Sequence, residues 1–210
     1  MQERFPLVGQ PAADTPLYGL DIETDTTVNG LDPSCAAILA VAVVGDGVEV
    51  VVRGPEDELL AELDALLRRL SPGVLVTWNG ARFDLPFIAD RAASHGVALG
   101  LELWADDRGE PEGRPLPGHD GLRYRAAWYG HAHLDGYLLY RSDTGRGLGL
   151  SCALKNLARL VGLDPVQVDR ERIHELSDDE LVAYVASDAH LAREMVARRG
   201  PAALASIDRR

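Results

Sequence analysis

The chain has 210 residues, of which 46% are hydrophobic, and its formal net charge is −12. This length suits one compact domain with a full core, and no stretch approaches the 18 apolar residues of a membrane span. Such acidity argues against a general nucleic-acid-binding surface, unless some of the acids hold metal ions that reverse the local charge.

The first half of the chain predicts three strands and then alternating helices and strands. Apolar, β-branched runs predict the strands, and leucines at helical spacing behind an acidic first turn predict the first helix. A glycine after the second helix is typical of a helix end. The predicted strands are Leu17–Ile22, Ala36–Val44, Val48–Val52 and Val74–Trp78, and the predicted helices are 55–70 and Leu85–Ser94.

The second half adds a strand and two helices. Residues 105–121 hold three prolines and four glycines, which predict an exposed excursion rather than a second domain. The predicted elements are a strand at Ala132–Asp135, a helix from an N-cap at Ser151 to Val161, and a last helix behind the capping box Ser177–Glu180. This order predicts an α/β fold with a mixed sheet (an antiparallel meander plus parallel strands) and helices on both faces. Residues 1–16 are expected to be a loose lead-in and 200–210 a tail.

Two carboxylates lie close together on the first predicted strand. Asp21 and Glu23 are two residues apart, so their side chains point to one face of the strand while Ile22 points to the other. Burying two unpaired carboxylates is costly, and a divalent cation is the simplest compensation. A solvated strand end is the alternative, and this motif alone does not exclude it.

A second acidic motif follows the fourth predicted strand. Asp84 ends the sequence Asn79-Gly80-Ala81-Arg82-Phe83-Asp84 at a strand-to-helix crossing, where open α/β sheets build their sites. Asp84 also fits an N-cap of the following helix. A cap does not explain Asn79 or Phe83, which a plain turn does not require.

A third motif lies on the last helix. Tyr184 and Asp188 are four residues apart, so they share a helix face, which also carries Leu181, Leu191 and Met195. An aspartate on an apolar helix face costs stability unless it is paired or binds a metal. The inward-pointing pair of Tyr184 and Asp188 therefore favours a functional site over a purely structural role in the core.

Together the acids predict a site for magnesium or manganese, because these hard cations prefer oxygen ligands. The sequence offers zinc no competing cluster. His131 and His133 lack a third ligand and are interpreted as surface or core histidines, and Cys35 and Cys152 are far apart and in no CxxC motif. Such cysteine usage and the lack of a signal peptide predict a reducing, cytoplasmic setting.

The three motifs resemble those of the ribonuclease-H-like 3′–5′ exonucleases, in which four acids carry the site. The Asp21-Ile22-Glu23-Thr24 and N-x-x-x-F-D forms are similar to the exonuclease domain of family B DNA polymerases, and the resemblance spans about residues 17–199. Sister enzymes place a histidine five residues before the last aspartate. Here that position is Ala183, whereas Tyr184 lies four before, as in the tyrosine (DEDDy) subclass. The matching residues are Asp21, Glu23, Asn79, Phe83, Asp84, Tyr184 and Asp188.

The resemblance implies catalysis by two Mg²⁺ or Mn²⁺ ions and release of nucleoside 5′-monophosphates. Asp21 is expected to bridge both ions. Glu23 and Asp188 are expected to complete the first site, and Asp84 to hold the second. Tyr184 is expected to orient the attacking water through its hydroxyl.

The expected substrate is a nucleic acid with a free 3′ end, with single-stranded DNA favoured and RNA possible. Thr24, Asn79 and Phe83 are candidates to hold the terminal nucleotide, although Phe83 equally suits a core. The window 122–163 has a net charge of +4, and its basic residues either contact phosphates or merely aid solubility. The phosphate candidates are Arg123, Arg125, Arg146 and Lys155, and Asp135 resembles an accessory aspartate on a middle strand.

The chain is too short to add the palm, fingers and thumb of a family B polymerase, so a free-standing nuclease is expected. Two alternatives stay open. One is an endonuclease or resolvase on the same fold, and the other is a catalytically silent nucleic-acid-binding module. No carboxylate of the motifs is missing, which disfavours the silent module.

Overall fold

One seven-stranded mixed sheet organises the protein. The computed structural model describes residues 14–106, 122–200 and 203–204. The strand order is β3-β2-β1-β4-β7-β6-β5, with parallel pairs on both sides of β4 and antiparallel pairs elsewhere. The strands are β1 Leu17–Thr24, β2 Ile38–Gly45, β3 Val48–Arg53, β4 Val74–Thr77, β5 Leu101–Ala105, β6 Tyr124–Trp128 and β7 His131–Asp135. The predicted mixed sheet is confirmed.

Helices cover both faces of the sheet. Because side chains alternate along a strand, Val41 and Val43 of β2 pack with the first two helices, whereas Ala40 and Ala42 pack with the last. The helices are α1 Glu56–Arg69, α2 Asp84–His95, α3 Gly136–Tyr140, α4 Arg146–Leu148, α5 Leu154–Leu160 and α6 Asp178–Ala197, with a π-helical turn at Arg141–Gly145 and a 3₁₀ helix at Arg170–Glu175. None of the helices in the described ranges is long and apolar enough to cross a membrane.

The last helix begins as the sequence predicts. The Ser177 side chain accepts a hydrogen bond from the Glu180 backbone N–H, and the Glu180 carboxylate accepts one from Ser177 N. This capping box fixes where α6 starts, and therefore which of its side chains point at the sheet. Tyr184 and Asp188 are both buried on that side.

The chain beyond β4 is held by a buried carboxylate. Asn79 follows the strand with a left-handed φ of 72°, a conformation that asparagine tolerates better than most residues. The Asp135 carboxylate accepts hydrogen bonds from Asn79 N at 3.0 Å and Ala81 N at 3.1 Å. It also caps α3 by accepting from Tyr137 N and Leu138 N. The turn that leads to Asp84 is therefore fixed from the neighbouring strand.

The edge strand β5 and its neighbour β6 were not predicted. β5 and β6 flank the excursion, and β5 pairs along its length with β6 alone among the described strands. Most residues of β5 and β6 are half-buried, so the hydrophobic pattern that predicts a strand from sequence is weak in both segments. Of the expected excursion at 105–121, Ala105 belongs to β5, and 107–121 lie outside the described residues, as do 1–13 of the lead-in and most of the tail.

The predicted cap at Ser151 is wrong, and the alternative cap at Asp84 does not form. The helix expected from Ser151 begins at Leu154, and Ser151 Oγ instead accepts from Ala153 N and Asn156 Nδ2 two and five residues later. Asp84 is the first residue of α2, and its N-cap position is taken by Phe83. The Asp84 carboxylate is therefore available for another role.

Candidate active site

Three carboxylates from two elements converge at one point. Asp21 and Glu23 alternate with buried Leu20 and Ile22 along β1, so they face α6. Ligand oxygens of Asp21, Glu23 and Asp188 all lie within 4.8 Å of one another. The strand and the helix that sequence patterns predicted separately thus supply one acidic cluster.

Asp84 completes the acidic set from the second motif. β1 pairs with β4 from Leu17 to Gly19 and then continues past the end of β4. Beyond that end, the Ile22 backbone N–H donates to the Asp84 carboxylate, as does the N–H of Asp84 itself. Asp84 therefore lies beside the strand that carries Asp21, and the two carboxylates repel each other.

The four carboxylates lie at an open cleft of about 1110 Å³. Burial and mutual repulsion favour their neutral forms. Burial raises the pKa of Glu23 to about 8 and that of Asp84 to about 7. The pKa of Asp21 is raised well above its usual value, first by burial and then by Asp84, Asp188 and Glu23. In the metal-free protein the cluster therefore retains protons at neutral pH.

Tyr184 lies fully buried beside the cluster. Burial, with Glu23 and Asp188 adding to it, raises the pKa of its phenol, which stays protonated at neutral pH. The Tyr184 hydroxyl is buried and makes no hydrogen bond of acceptable geometry within the described part of the chain, whereas the buried Asp188 Oδ1 lies in an ion pair with Lys155. A buried hydroxyl of this kind beside the acidic cluster fits a site that is completed by a metal ion and its water.

Lys155 of α5 reaches the same point. Its Nζ lies 3.2 Å from Asp188 Oδ1 and 3.8 Å from the centroid of the Tyr184 ring. It also donates a hydrogen bond of 3.0 Å to the Val166 carbonyl. Burial raises the pKa of Asp188, and the positive charge of Lys155 works against it.

Arg170 is a site residue that sequence analysis missed. It begins the 3₁₀ helix and lines the cleft. Its positive charge lowers the pKa of each carboxyl of the cluster, opposing burial, and also that of Tyr184. In the sequence it stands in the run Asp169-Arg170-Glu171-Arg172, which is typical of a solvated surface, so no signal set it apart.

The three candidates for holding a nucleotide all line the cleft. The Thr24 hydroxyl is buried and donates 2.6 Å to the Gly30 carbonyl, which closes the loop after β1. Phe83 is half-buried and packs on Phe87 with ring centroids 5.3 Å apart. The structure therefore places these residues beside the acids, with Phe83 between the core and the cleft.

Of the four basic candidates for phosphate contact, one lines the cleft and three do not. Among the described residues that line the cleft, Lys155 is present, whereas Arg123, Arg125 and Arg146 are not. Arg123 instead pairs with Asp106 at 2.8 Å. Asp135 acts on the turn before Asp84 and not within the three-carboxylate cluster.

His131 and His133, which the sequence analysis did not assign as metal ligands, make hydrogen-bond contacts with neighbouring residues of the protein. His131 is buried with its Nε2 2.9 Å from the Leu67 carbonyl, and His133 Nε2 lies 2.8 Å from Thr77 Oγ1. Burial lowers the pKa of His133 to about 4. Both are therefore neutral at pH 7, in keeping with core positions.

Comparisons with known proteins identify the family to which the chain is similar. A family model described as "DNA polymerase family B, exonuclease domain" matches residues 33–144. The chain is 31% identical over 139 residues to one DNA polymerase epsilon catalytic subunit of Arabidopsis thaliana, covering 64% of this chain and 6% of that protein. It is 26% identical over 148 residues to a DNA polymerase epsilon catalytic subunit of Schizosaccharomyces pombe, covering 69% and 6%.

A solved structure shows the same fold. The family B DNA polymerase from the hyperthermophilic archaeon Pyrobaculum calidifontis aligns with a TM-score of 0.65 and 20% identity, over 88% of this chain and 24% of that one. The chain thus spans a small part of the polymerases it matches. Because the family model covers more than half of the chain, the chain belongs to the family of DNA polymerase family B exonuclease domains, with their ribonuclease-H-like fold.

Proposed function

We propose that this chain is a divalent-metal-dependent exonuclease that removes nucleotides from the 3′ end of DNA. The observation that carries the proposal is the convergence of Asp21, Glu23 and Asp188 within 4.8 Å, with Asp84 beside them, at a cleft in a family B exonuclease fold. A purely structural protein would gain nothing from gathering four carboxylates, two buried and two half-buried, that repel one another.

The ligand chemistry favours Mg²⁺ or Mn²⁺. All four groups are carboxylates, and hard oxygen ligands suit these ions. Asp21, Glu23 and Asp188 are proposed to hold one ion, with Asp21 shared and Asp84 holding the second. When bound, two such ions stabilise the attacking and leaving oxygens of an in-line displacement and lower the pKa of the attacking water.

The remaining groups are assigned by position. Tyr184, buried and protonated beside Glu23 and Asp188, is proposed to orient the attacking water. Lys155, fixed between Asp188 and the Val166 carbonyl, is proposed to offset charge near the scissile phosphate. Water attacks phosphorus, the bond from phosphorus to the 3′ oxygen breaks, and a nucleoside 5′-monophosphate leaves.

The substrate is proposed to be a strand with a free 3′ end, with single-stranded DNA favoured over RNA. An open cleft whose lining includes Phe83, Arg82 and Arg159 offers both a base-contacting ring and phosphate partners. Thr24 and Asn79, which line the same cleft as Asp84, are proposed to border the terminal nucleotide.

A degradation assay with the purified chain tests this function. A 5′-labelled single-stranded DNA is incubated with Mn²⁺ or Mg²⁺, in parallel with the same strand blocked at its 3′ end and with RNA of the same sequence. Stepwise shortening of the unblocked DNA from its 3′ end supports the proposal. Internal cleavage of the blocked strand would instead identify an endonuclease, and no cleavage of any strand would leave a binding module.

A further inference from the structure

The loop between β1 and β2, residues 25–37, forms part of the cleft wall, and we call it the cleft loop. The cleft lining includes its residues Thr26, Val28, Asn29, Gly30 and Leu31, together with the four carboxylates. Val28 is 78% exposed and Leu31 is 43% exposed, so both present apolar surface at the cleft. A strand that reaches the carboxylates therefore passes along this loop.

The cleft loop is closed by hydrogen bonds at its base. Thr24 Oγ1 donates to the Gly30 carbonyl at 2.6 Å, and Asp25 N donates to the Ala37 carbonyl at 2.9 Å. These bonds hold the two limbs of the loop to each other. The position of the loop relative to the helices depends on contacts from outside it.

Arg91 of α2 supplies such a contact. Its Nη1 donates at 2.8 Å to the carbonyl of Pro33, on the limb that returns to β2. The same guanidinium donates to both carboxylate oxygens of Glu56, at 2.9 Å from Nε and 2.5 Å from Nη2. Glu56 Oε1 also accepts at 2.7 Å from the backbone N–H of Ile38, the first residue of β2. One ion pair thus holds the returning limb at two points.

The geometry of this ion pair is specific to arginine. The side chains of Arg91 and Glu56 are only 14% and 8% exposed. All three guanidinium nitrogen atoms donate, two of them to one carboxylate and the third to the loop. A planar fork makes such a set with little freedom to rotate, whereas a lysine ammonium does not reproduce it.

The helix that carries Arg91 also carries one of the carboxylates. Asp84 is the first residue of α2, and Arg91 follows seven residues later. Residues at this spacing lie on the same helix face, two turns and about 10 Å apart along the axis. One helix therefore sets the distance between the acidic cluster and the cleft loop.

We propose that Arg91 is a positioning residue for the substrate strand: with Glu56 it holds the cleft loop at a fixed distance from the carboxylates, so that the 3′ end enters a preformed wall. This inference rests on the proposed nuclease function. A preformed wall favours binding, because less chain has to be ordered when the strand enters. Among the described residues, Arg91 is not part of the cleft lining, so it acts on the strand through the loop.

The proposal predicts that substrate binding and metal binding respond differently. Loss of the Arg91 contacts frees the cleft loop and leaves the carboxylates in place. DNA affinity therefore falls and KM rises, while kcat and Mn²⁺ affinity stay close to the wild-type values. A residue that only stabilises the fold would lower the unfolding temperature without changing the DNA affinity of the folded protein.

The experiment compares Arg91→Gln and Arg91→Lys with Arg69→Gln, a control with the same charge change in the exposed last turn of α1. Binding of a 5′-labelled single-stranded DNA is measured by anisotropy, with Ca²⁺ in place of Mn²⁺ to suppress hydrolysis. Calorimetry measures Mn²⁺ affinity, and steady-state kinetics measure KM and kcat. Amide hydrogen exchange follows the mobility of residues 25–37.

Arg91→Gln is expected to weaken DNA affinity and to raise KM by about tenfold, the factor that a hydrogen bond from a charged donor contributes. Exchange in the cleft loop is expected to become faster. Arg91→Lys keeps a charge beside Glu56 and is expected to fall between Arg91→Gln and the wild type, and Arg69→Gln to match the wild type. Unchanged DNA affinity in Arg91→Gln, or an equal loss of Mn²⁺ affinity, overturns the proposal.

Val28→Ser tests the same role without disturbing the buried ion pair, since the Val28 side chain is largely exposed. It is expected to weaken DNA binding in the wild type and to do so less in the Arg91→Lys background, where the loop is no longer held. Such coupling between two residues requires that both act through the cleft loop. Additive effects of Val28→Ser and Arg91→Lys overturn the proposal even if Arg91→Gln does not fold.

The binding measurements need no nuclease activity, so the two proposals fail separately. If the wild type degrades DNA but the Arg91 variants bind DNA as tightly as the wild type, the positioning role is wrong and the nuclease function stands. If DNA affinity falls as expected but the wild type degrades no strand, the nuclease function is wrong and the role of Arg91 in strand binding stands.

Discussion

Gly19 of β1 lies directly against the backbone carbonyl of Ala189 on α6, and a Cβ at Gly19 would overlap that carbonyl. Ala189 is the neighbour of Asp188, and Gly19 is two residues before Asp21. The close approach of the strand to the helix therefore sets the distance between the first and third carboxylate motifs. A side chain at this position would separate them.

Gly19→Ala is expected to destabilise the protein by about 2–4 kcal/mol, because the overlapping atoms belong to backbone that cannot simply rotate away. Urea unfolding measures the loss, and Mn²⁺ is expected to stabilise the variant less than it stabilises the wild type. Gly147→Ala is the control, since a Cβ there meets no atom within 4 Å. Equal stability of Gly19→Ala and Gly147→Ala would contradict the close approach.

Glu23→Gln tests the raised pKa of the cluster. The pKa of Glu23 in the folded state is about 8, above its ordinary value of 4.5. A raised carboxyl pKa gives stability that is present at low pH and lost as the pH rises through the folded-state value. The metal-free wild type should therefore lose stability between about pH 5 and pH 8, and Glu23→Gln should lose less.

Urea unfolding in the presence of a chelator, at both ends of that pH range, measures the stability of the wild type and of Glu23→Gln. Glu23→Gln is expected to exceed the wild type by about 1–2 kcal/mol at the alkaline end and to gain less from added Mn²⁺. Glu62→Gln, on the exposed side of α1, is the control. A steeper loss of stability with pH in Glu23→Gln than in the wild type would refute the raised pKa.

Tyr184→Phe removes the buried hydroxyl and leaves the ring under Lys155. Turnover is expected to fall by about tenfold to a hundredfold, because water orientation is lost while no metal ligand is removed. Mn²⁺ affinity should stay close to that of the wild type. Calorimetry and single-turnover nuclease kinetics measure the two quantities, and wild-type turnover in the variant would exclude an orienting role.

The sequence predicts the parts of the site that repeat a local pattern. Asp21 and Glu23 follow from two-residue spacing on an apolar strand, and Tyr184 and Asp188 follow from four-residue spacing on a capped helix. The Ser177–Glu180 box fixed the register of that helix, and the structure confirms it. These patterns depend only on residues that are close in sequence, so they can be recognised without knowledge of the tertiary fold.

The sequence does not predict contacts between residues that are far apart in the chain. Arg170 reaches the site from a short 3₁₀ helix inside a charged run that favours solvent. Ser151 matched an N-cap pattern, yet its hydroxyl serves the turn before α5 instead. The strands β5 and β6 are mostly half-buried, and tertiary pairing rather than apolar alternation defines them.

Asp188→Asn tests whether the gathered carboxylates perform metal-dependent chemistry. The substitution keeps the shape of the side chain and removes its charge, and Asp179→Asn, in the exposed first turn of the same helix, is the matched control. The measurement is the initial rate of nucleotide release from single-stranded DNA with Mn²⁺. Asp188→Asn is expected to lose at least about a hundredfold in rate and Asp179→Asn to keep the wild-type rate; a wild-type rate in Asp188→Asn would contradict the account.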